Sequence, residues 1–327
     1  MAEQITADHI HYLSARETAE RLTKLKFPVV IMHPRPDGDA VGSASALIKI
    51  LRYMGIEAEY ISADPIPKRL AFLLEGEKKA ESLDGRDLVA IDVASPAQLG
   101  SLAEYADKIA FTIDHHRVHT LFSDCFIRPD ASSAGEALFD VLTALFDMRK
   151  CKLTKEIAYP MYAAISSDTG GFLFSSASPK TYVIAARLIE TGIDFADINH
   201  RLFHSKSEEQ IKAEGHIASV VTTEDSGKIA YATLTKEDRE RLKLSSEHFE
   251  TAIDVVRSVM GAEIAIFVRE NDEGSVKASL RSTGANVAAV AAEFGGGGHI
   301  RAAGCTLPAK TAKEGAMLII EKIKEMK

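Results

Sequence analysis

The feature that most constrains the fold is a series of short apolar runs, three of which end at acidic or histidine side chains. The runs span 28–33, 57–62, 87–94 and 108–114, and segments with helical periodicity, such as 40–54, separate them. Short apolar runs bounded by turn residues are typical of buried strands. Strands that alternate with helices predict an α/β fold with a parallel sheet.

Helical patterns dominate the chain from Ser132 onward. The clearest helices are expected over 153–167 and 179–191, and the segment 96–106 is also helix-like. Because proline lacks an amide hydrogen and clashes with the preceding turn, Pro160 should kink or interrupt the first of these helices.

A charged segment divides the sequence into two parts. We expect a first domain at 1–203, a linker at 204–218 and a smaller α/β domain at 219–327. Within the second domain, 246–260 has the pattern of an amphipathic helix. The strand-like runs of the second domain lie at 228–234, 263–269 and 275–282.

Charge and composition exclude several classes of protein. The 327 residues include 39 Lys and Arg and 47 Asp and Glu, which gives a formal net charge of −8. An acidic chain is poorly suited to coating long duplex nucleic acid, where affinity comes mainly from phosphate contacts. No apolar run approaches the roughly 20 residues of a membrane span. The three cysteines are widely spaced and form no disulfide pattern, so a cytoplasmic protein is expected.

Candidate metal ligands follow the predicted strands at the point where each strand ends. A single Asp or His in such a place is usually a turn residue or a helix cap. Here several strands carry one, and the carboxyl ends of parallel strands meet at one edge of the sheet, where ligands bind. The candidates are His33, Asp37, Asp39, Asp92, Asp114, His115, His116 and Asp168.

Four of these carboxylates would be unfavourable together in one cleft without cations. Asp37, Asp39, Asp92 and Asp168 would bring a charge of −4, which two divalent ions would balance. Mixed His and Asp ligands suit Mn²⁺, Fe²⁺ or Co²⁺ better than Mg²⁺, which prefers oxygen. Such a pair of ions provides a nucleophile for phosphorus at neutral pH.

A glycine run in the second domain is the other candidate site. The sequence FGGGGHIRAAG spans 294–304, and His299 and Arg301 follow the glycines directly. Successive backbone amides of glycines can form an anion-binding nest, although such a run can also be a flexible linker. By contrast, His200 and His204 have the i, i+4 spacing of a zinc helix, but Arg201 stands where that motif has Glu.

Five separated motifs together resemble the DHH/DHHA1 phosphoesterase family. They are HPRPDGDAVGS at 33–43, Asp92 in AIDVAS, DHH at 114–116, SSDTGG around Asp168 and GGGGHIRAAG at 295–304. The order and spacing of the motifs cover essentially the whole chain. The resemblance implies a parallel-sheet DHH domain and a smaller α/β DHHA1 domain, with the active site in the cleft between them.

The resemblance also implies roles for individual residues. His33 and Asp37 would bind one Mn²⁺, and Asp39 and His115 the other. Asp92 and Asp168 would bind both ions. Asp114 would orient a motif histidine, and His116 would face the substrate phosphate. In the second domain the implied substrate-binding residues are Arg281, Gly296, Gly297, Gly298, His299 and Arg301, with Arg257 as a weaker candidate.

In its size and its lack of additional domains, the chain resembles one subfamily most. The members of this subfamily are short-RNA nucleases, or nanoRNases, that also act on 3′-phosphoadenosine 5′-phosphate (pAp). The resemblance therefore implies hydrolysis of short RNA oligonucleotides to nucleoside 5′-monophosphates, and of pAp to AMP. It implies two Mn²⁺ ions, with Mg²⁺ or Co²⁺ as substitutes, and no long duplex or membrane as a partner. A pyrophosphate or polyphosphate hydrolase and a non-catalytic nucleotide-binding regulator remain alternatives. The oligomeric state stays open, a homodimer included.

Overall fold

The computed structural model describes residues 10–249, 251–271 and 273–326. The chain forms two compact units, Met1–Ser205 and Lys206–Lys327, each with its own sheet and core.

The first unit is built on a five-stranded sheet in which all neighbouring strands are parallel, as the strand–helix alternation predicts. The strand order is β2-β1-β3-β4-β5. The strands are β1 (Pro28–Met32), β2 (Glu59–Ser62), β3 (Asp87–Ile91), β4 (Ile109–Asp114) and β5 (Asp124–Ile127). Since β3 lies between β1 and β4, the segments that follow these three strands lie side by side.

Helices enclose the core of the first unit. They are α1 (Ala15–Leu22), α2 (Gly38–Tyr53), α3 (Ala134–Asp147), α4 (Lys155–Asp168), α5 (Pro179–Ile189) and α6 (Phe195–Asn199). The backbones of α2 and α4 approach closely. A Cβ on Gly42 would lie only 2.6 Å from the carbonyl oxygen of Pro160. This contact brings the first turn of α2 and the last turn of α4 to the same region as the strand ends.

Two features of the first unit differ from the expectations. Helix α4 is not interrupted at Pro160, which is buried with its carbonyl oxygen facing Gly42 of α2. The expected helix over 96–106 is a 3₁₀ segment, Pro96–Lys108, interrupted at Gly100, whose φ is +60°. A Cβ at Gly100 would lie 2.7 Å from Cγ of Pro34, so the close approach requires glycine there.

The second unit is a six-stranded mixed sheet with the order β10-β11-β9-β8-β7-β6. Its strands are β6 (Thr222–Glu224), β7 (Ile229–Leu234), β8 (Ile264–Glu270), β9 (Val276–Ser282), β10 (Gly297–His299) and β11 (Ala302–Leu307). Its helices are α7 (Glu208–Val220), α8 (Lys236–Leu242), α9 (Ala252–Arg257), α10 (Val287–Ala292) and α11 (Ala312–Glu325).

The segment 204–218, expected as a linker, is mostly helical. Ser207 caps α7 through a capping box, and Ala213 and Ile217 are buried in a core cluster of the second unit. The charged residues that suggested a linker form the exposed face of this helix. The expected helix over 246–260 is also shorter, because only Ser246–Phe249 (3₁₀) and α9 are helical. None of the helices in the described ranges is long and apolar enough to cross a membrane.

Candidate metal centre

The loop after β1 supplies the first two candidate ligands. Nδ1 of His33 lies 2.8 Å from the carbonyl oxygen of Pro34. Since a carbonyl only accepts, Nδ1 carries the proton and Nε2 is left as a lone-pair donor. Asp37 is the N-cap of α2, and its Oδ1 accepts from the amides of Asp39 and Ala40 at 3.0 and 3.1 Å. Capping therefore holds this carboxylate beside the imidazole, with Nε2 of His33 3.9 Å from Oδ1 of Asp37.

Asp39 is buried, and its carboxylate accepts hydrogen bonds from a segment that is distant in the sequence. Its Oδ2 accepts from the amide of Ala134 at 2.6 Å, and its Oδ1 accepts from the amide of Gly135 at 3.0 Å. Both amides belong to the first turn of α3, where amide groups have no partners within the helix. The hydroxyl of Ser43, one turn along α2, donates to Oδ1 at 2.9 Å. The carboxylate is thereby fixed in a single orientation.

Asp92 follows β3 and lies at the centre of the cluster. Its φ is +59°, a left-handed conformation that costs a non-glycine residue about 1–2 kcal/mol. Nε2 of His33 is 3.6 Å from its Oδ2, and Nε2 of His115 is 3.6 Å from its Oδ1. Among the described residues, its buried Oδ1 has no hydrogen-bond partner. Strained backbone and an unsatisfied buried oxygen are features of functional sites.

His115 connects the remaining carboxylates. Its Nε2 is 3.4 Å from Oδ2 of Asp168, at the end of α4, and 3.7 Å from Oδ2 of Asp39. Potential ligand atoms lie within 4.8 Å of one another in three groups. These groups are His33, Asp37 and Asp92; Asp39, His115 and Asp168; and Asp92, His115 and His116. The structure therefore brings all six expected metal ligands together at one edge of the sheet.

Burial and mutual repulsion make this cluster unfavourable without cations. Burial raises the pKa of Asp39, and burial together with the charges of Asp39 and Asp37 raises the pKa values of Asp92 and Asp168 well above the ordinary range. A divalent cation would remove both penalties, because it would replace lost hydration and offset the repulsion. The mixed imidazole and carboxylate donor set and the unsatisfied oxygen of Asp92 fit such ions.

Asp114 and His116 form a hydrogen-bonded pair beside the cluster. Oδ1 of Asp114 accepts from Nδ1 of His116 at 2.8 Å and from the amide of His115 at 2.8 Å. The hydrogen bond that His116 donates to Asp114 raises the pKa of His116 despite burial. Burial alone would raise the pKa of Asp114, but the hydrogen bonds and positive charge of the two histidines lower it. His116 is thus kept oriented and favours its protonated form.

His119 is a neighbour that the sequence reasoning missed. Its Nε2 is 3.4 Å from Oδ2 of Asp114, and its ring is parallel to that of Phe122 at 6.0 Å. Burial lowers the pKa of His119, which favours its neutral form, and neither its Nε2 nor Oδ2 of Asp114 has a hydrogen-bond partner among the described residues. The only available signal was its place five residues after Asp114 in DHHRVH.

The expected substrate-binding residues lie in the second unit. Arg281 is in β9, where it is partly buried, and burial lowers the pKa of its guanidinium. Arg301 is exposed beside the turn between β10 and β11, and the described part of the structure does not include the side chain of His299.

The last two glycines of the run belong to an edge strand. Gly297–His299 forms β10, which pairs with β11 in antiparallel fashion. A Cβ on Gly296 would lie 2.5 Å from Cβ of Cys305, and one on Gly298 would lie 2.7 Å from Cα of Ala303. Close packing of two strands therefore requires glycine at these two positions.

His200 and His204 lie outside the cluster. They belong to a π-helical segment, His200–His204, with ring centroids 6.4 Å apart, and both are exposed. None of the groups of potential ligand atoms found in the described residues contains either of them.

Two family models match the chain in the order of the two units. The DHH family, N-terminal domain, matches residues 28–165, and the DHHA1 domain matches residues 226–326. The first match contains most of the candidate metal ligands, and the second contains the arginines and the glycine hairpin.

Individual relatives agree with these matches. The chain is 31% identical over 316 residues to a protein of Thermus thermophilus named bifunctional oligoribonuclease and PAP phosphatase NrnA, covering 95% of this chain and 93% of the relative. It is 26% identical to the protein of the same name from Bacillus subtilis, covering 84% and 87%. A solved structure titled an exopolyphosphatase-related protein from Bacteroides fragilis superposes with a TM-score of 0.86 at 24% identity, covering 95% and 96%. The chain therefore belongs to the DHH/DHHA1 family of phosphoesterases.

Proposed function

We propose that the protein hydrolyses short RNA oligonucleotides to nucleoside 5′-monophosphates, and pAp to AMP, with divalent metal ions. The observation that carries the proposal is the approach of His33 and His115 to the strained, buried carboxylate of Asp92, each at 3.6 Å. The names of the Thermus thermophilus and Bacillus subtilis relatives supply the two substrate classes.

We assign the six clustered side chains as ligands of two Mn²⁺ ions, with Mg²⁺ or Co²⁺ as substitutes. His33 and Asp37 would hold one ion, Asp39 and His115 the other, and Asp92 and Asp168 both. When bound, such ions supply charge neutralisation at phosphorus and a nucleophile at neutral pH. Amide donors from α3 and the hydroxyl of Ser43 keep Asp39 oriented for this role.

His116 is assigned as the proton donor to the leaving oxygen. Its Nδ1 donates to Asp114, so its second proton is at Nε2 in the charged form. The hydrogen bond to Asp114 raises the pKa of His116, which favours the charged form, and it also holds the ring in place.

The second unit is assigned to substrate binding. Arg281 and Arg301 would bind phosphate oxygens through their planar guanidinium groups. His299 and the backbone of Gly296, Gly297 and Gly298 would complete the contact. Because Arg281 is partly buried, water screens its charge less, and its electrostatic attraction to an anion is stronger.

The deciding experiment is product analysis of a labelled short RNA, pAp and inorganic pyrophosphate, each with Mn²⁺, Mg²⁺ or Co²⁺. We expect nucleoside 5′-monophosphates from RNA and AMP from pAp, with little phosphate from pyrophosphate. Turnover of pyrophosphate alone would establish a pyrophosphatase instead, and tight nucleotide binding without turnover would establish a regulator. All three cysteines are buried free thiols, and free thiols are typical of the reducing cytoplasm, where these substrates would be found.

A further inference from the structure

Arg35 adopts a backbone conformation that disfavours it, within the loop that carries two of the assigned metal ligands. It stands between Pro34 and Pro36, two positions from both His33 and Asp37, and its φ is +51°. Glycine would adopt this conformation at no steric cost, whereas another residue loses about 1–2 kcal/mol. The side chain is exposed, and within the described ranges it makes no hydrogen bond or ion pair. No contact in the described ranges accounts for an arginine at this position.

Arg117, in the loop after β4, is also an exposed arginine without a described partner. It follows His116 directly, is exposed, and has no hydrogen-bond or ion-pair partner in the part of the chain that the structure describes. The loops of the two arginines follow β1 and β4, which flank β3. His33 from one loop and His115 from the other both approach Asp92 at 3.6 Å. The arginines therefore lie in the two loops that bring His33 and His115 to one carboxylate cluster.

Most arginines of this acidic chain have partners, although in the described ranges Arg69 and Arg187 have no hydrogen-bond or ion-pair partner either. Arg52 pairs with Glu77 at 2.6 Å, and Arg86 pairs with Glu59 at 2.9 Å. Strain alone is not the signal either, because Arg149 has a φ of +57° at the end of α3, where a left-handed residue commonly ends a helix. What distinguishes Arg35 and Arg117 is their position beside the metal centre.

We propose that Arg35 and Arg117 bind a second phosphate group of the substrate, next to the phosphate that reacts at the metal ions. This inference rests on the proposed function and adds a phosphate subsite on the first unit. The assigned ligands bring four carboxylates, so bound ions are largely neutralised by their own ligands and leave a second phosphate without a counter-charge. Two exposed guanidinium groups supply that charge, and their planar donors match phosphate oxygens.

The consequence is a preference for substrates that carry a phosphate beyond the reacting one. The dinucleotide ApA has only the phosphodiester that is cleaved, whereas pApA has a 5′-phosphate as well. We therefore expect the wild-type protein with Mn²⁺ to cleave pApA with a higher kcat/KM than ApA. The ratio of these two constants isolates the second phosphate from the chemistry of the first.

The test compares Arg35→Gly, Arg117→Ala and the control Arg149→Gly on both dinucleotides. Arg35→Gly and Arg117→Ala should each lower the pApA to ApA ratio about 10-fold, the effect of losing one charge-assisted hydrogen bond. Loss of one phosphate contact should also reduce the salt slope for pApA by about 0.7. Arg149→Gly makes the same replacement in the same backbone conformation far from the cluster in sequence, and should leave the ratio unchanged.

Stability and metal content separate binding from a structural role. Because glycine relieves the left-handed strain, Arg35→Gly should melt at the same temperature as the wild type or higher, with its Mn²⁺ content unchanged. An unchanged pApA to ApA ratio in Arg35→Gly and Arg117→Ala would overturn the proposal. Equal losses on both substrates with loss of Mn²⁺ would do so as well.

A binding measurement distinguishes this inference from the proposed function. Calorimetry with pApA linked by a phosphorothioate, which resists cleavage, reports affinity without turnover. If the wild type binds this probe but cleaves neither dinucleotide, the proposed function fails, and about 10-fold weaker binding by Arg35→Gly still supports the arginine subsite. Equal affinity of the variants and wild type would refute the subsite, and absence of any binding would refute both.

Discussion

The two units use opposite means to prepare for an anionic substrate. In the first unit, four carboxylates are gathered at the carboxyl ends of parallel strands, and burial raises the pKa values of Asp39, Asp92 and Asp168. In the second unit, the candidate groups are an arginine in a mixed sheet and a glycine hairpin at its edge. On the proposed assignment, the first set would need added cations before it could bind phosphate, whereas the second would carry its own positive charge.

The difference teaches that candidate residues in the two units differ in how much the fold alone explains them. Each charged candidate of the first unit has contacts that serve the cluster, such as the amides of α3 on Asp39. The glycines of the second unit are already required by strand packing at Gly296 and Gly298. A glycine there is therefore weaker support for phosphate binding than an aspartate in the first unit is for metal binding.

Asp92→Asn should have the largest effect. The amide retains the shape of the side chain but removes a charge shared by both assigned ions, so we expect kcat to fall by at least about 1,000-fold. The metal-free variant should melt at the same temperature as the metal-free wild type or higher, because a buried charge is lost. Near wild-type turnover at saturating Mn²⁺ would remove Asp92 from the metal centre.

Arg281→Ala tests whether the second unit binds substrate independently of the metal ions. Loss of a charge-assisted hydrogen bond to phosphate, worth roughly 1.5–3 kcal/mol, should raise KM about 10- to 150-fold. Mn²⁺ content, measured by elemental analysis, should stay at the wild-type value. Loss of metal from this variant would contradict the separation of roles between the two units.

Gly298→Ala tests whether packing of β10 against β11 requires a glycine at position 298. Its φ is +140°, and a Cβ would lie 2.7 Å from Cα of Ala303, so we expect a loss of about 1–3 kcal/mol in the free energy of unfolding. Gly297→Ala is the matched control, because a Cβ at that position has open space. Equal stability of the two variants in denaturant unfolding would show that packing does not explain the glycine at 298.

The smallest expected effect is a pH dependence of the metal-free protein. A carboxyl group whose pKa is raised in the folded state stabilises the fold while it is protonated, and this contribution is lost as pH rises through the folded pKa. The raised pKa values of Asp39, Asp92 and Asp168 therefore predict a melting temperature that falls as pH rises above the ordinary carboxyl range. Saturating Mn²⁺ should reverse this trend, and identical profiles with and without metal would contradict a metal centre here.

The sequence by itself determined the α/β class, the parallel sheet of the first unit and the identity of the side chains that meet at its edge. Those features depend on periodicity within short segments and on acidic residues at strand ends, both of which are local. The differences from expectation are also informative, since Pro160 and the segment 204–218 were judged by local rules alone.

Only the tertiary structure decided how the gathered side chains are held. The amide of Ala134 reaches Asp39 across 95 positions, Nε2 of His119 turns toward Asp114, and the carbonyl oxygen of Pro160 in α4 faces Gly42 of α2. The left-handed conformations of Arg35 and Asp92 also follow from the surrounding structure. The physical reason is that backbone strain and long-range hydrogen bonds depend on which distant segments pack together, and residue patterns within one segment do not encode that choice.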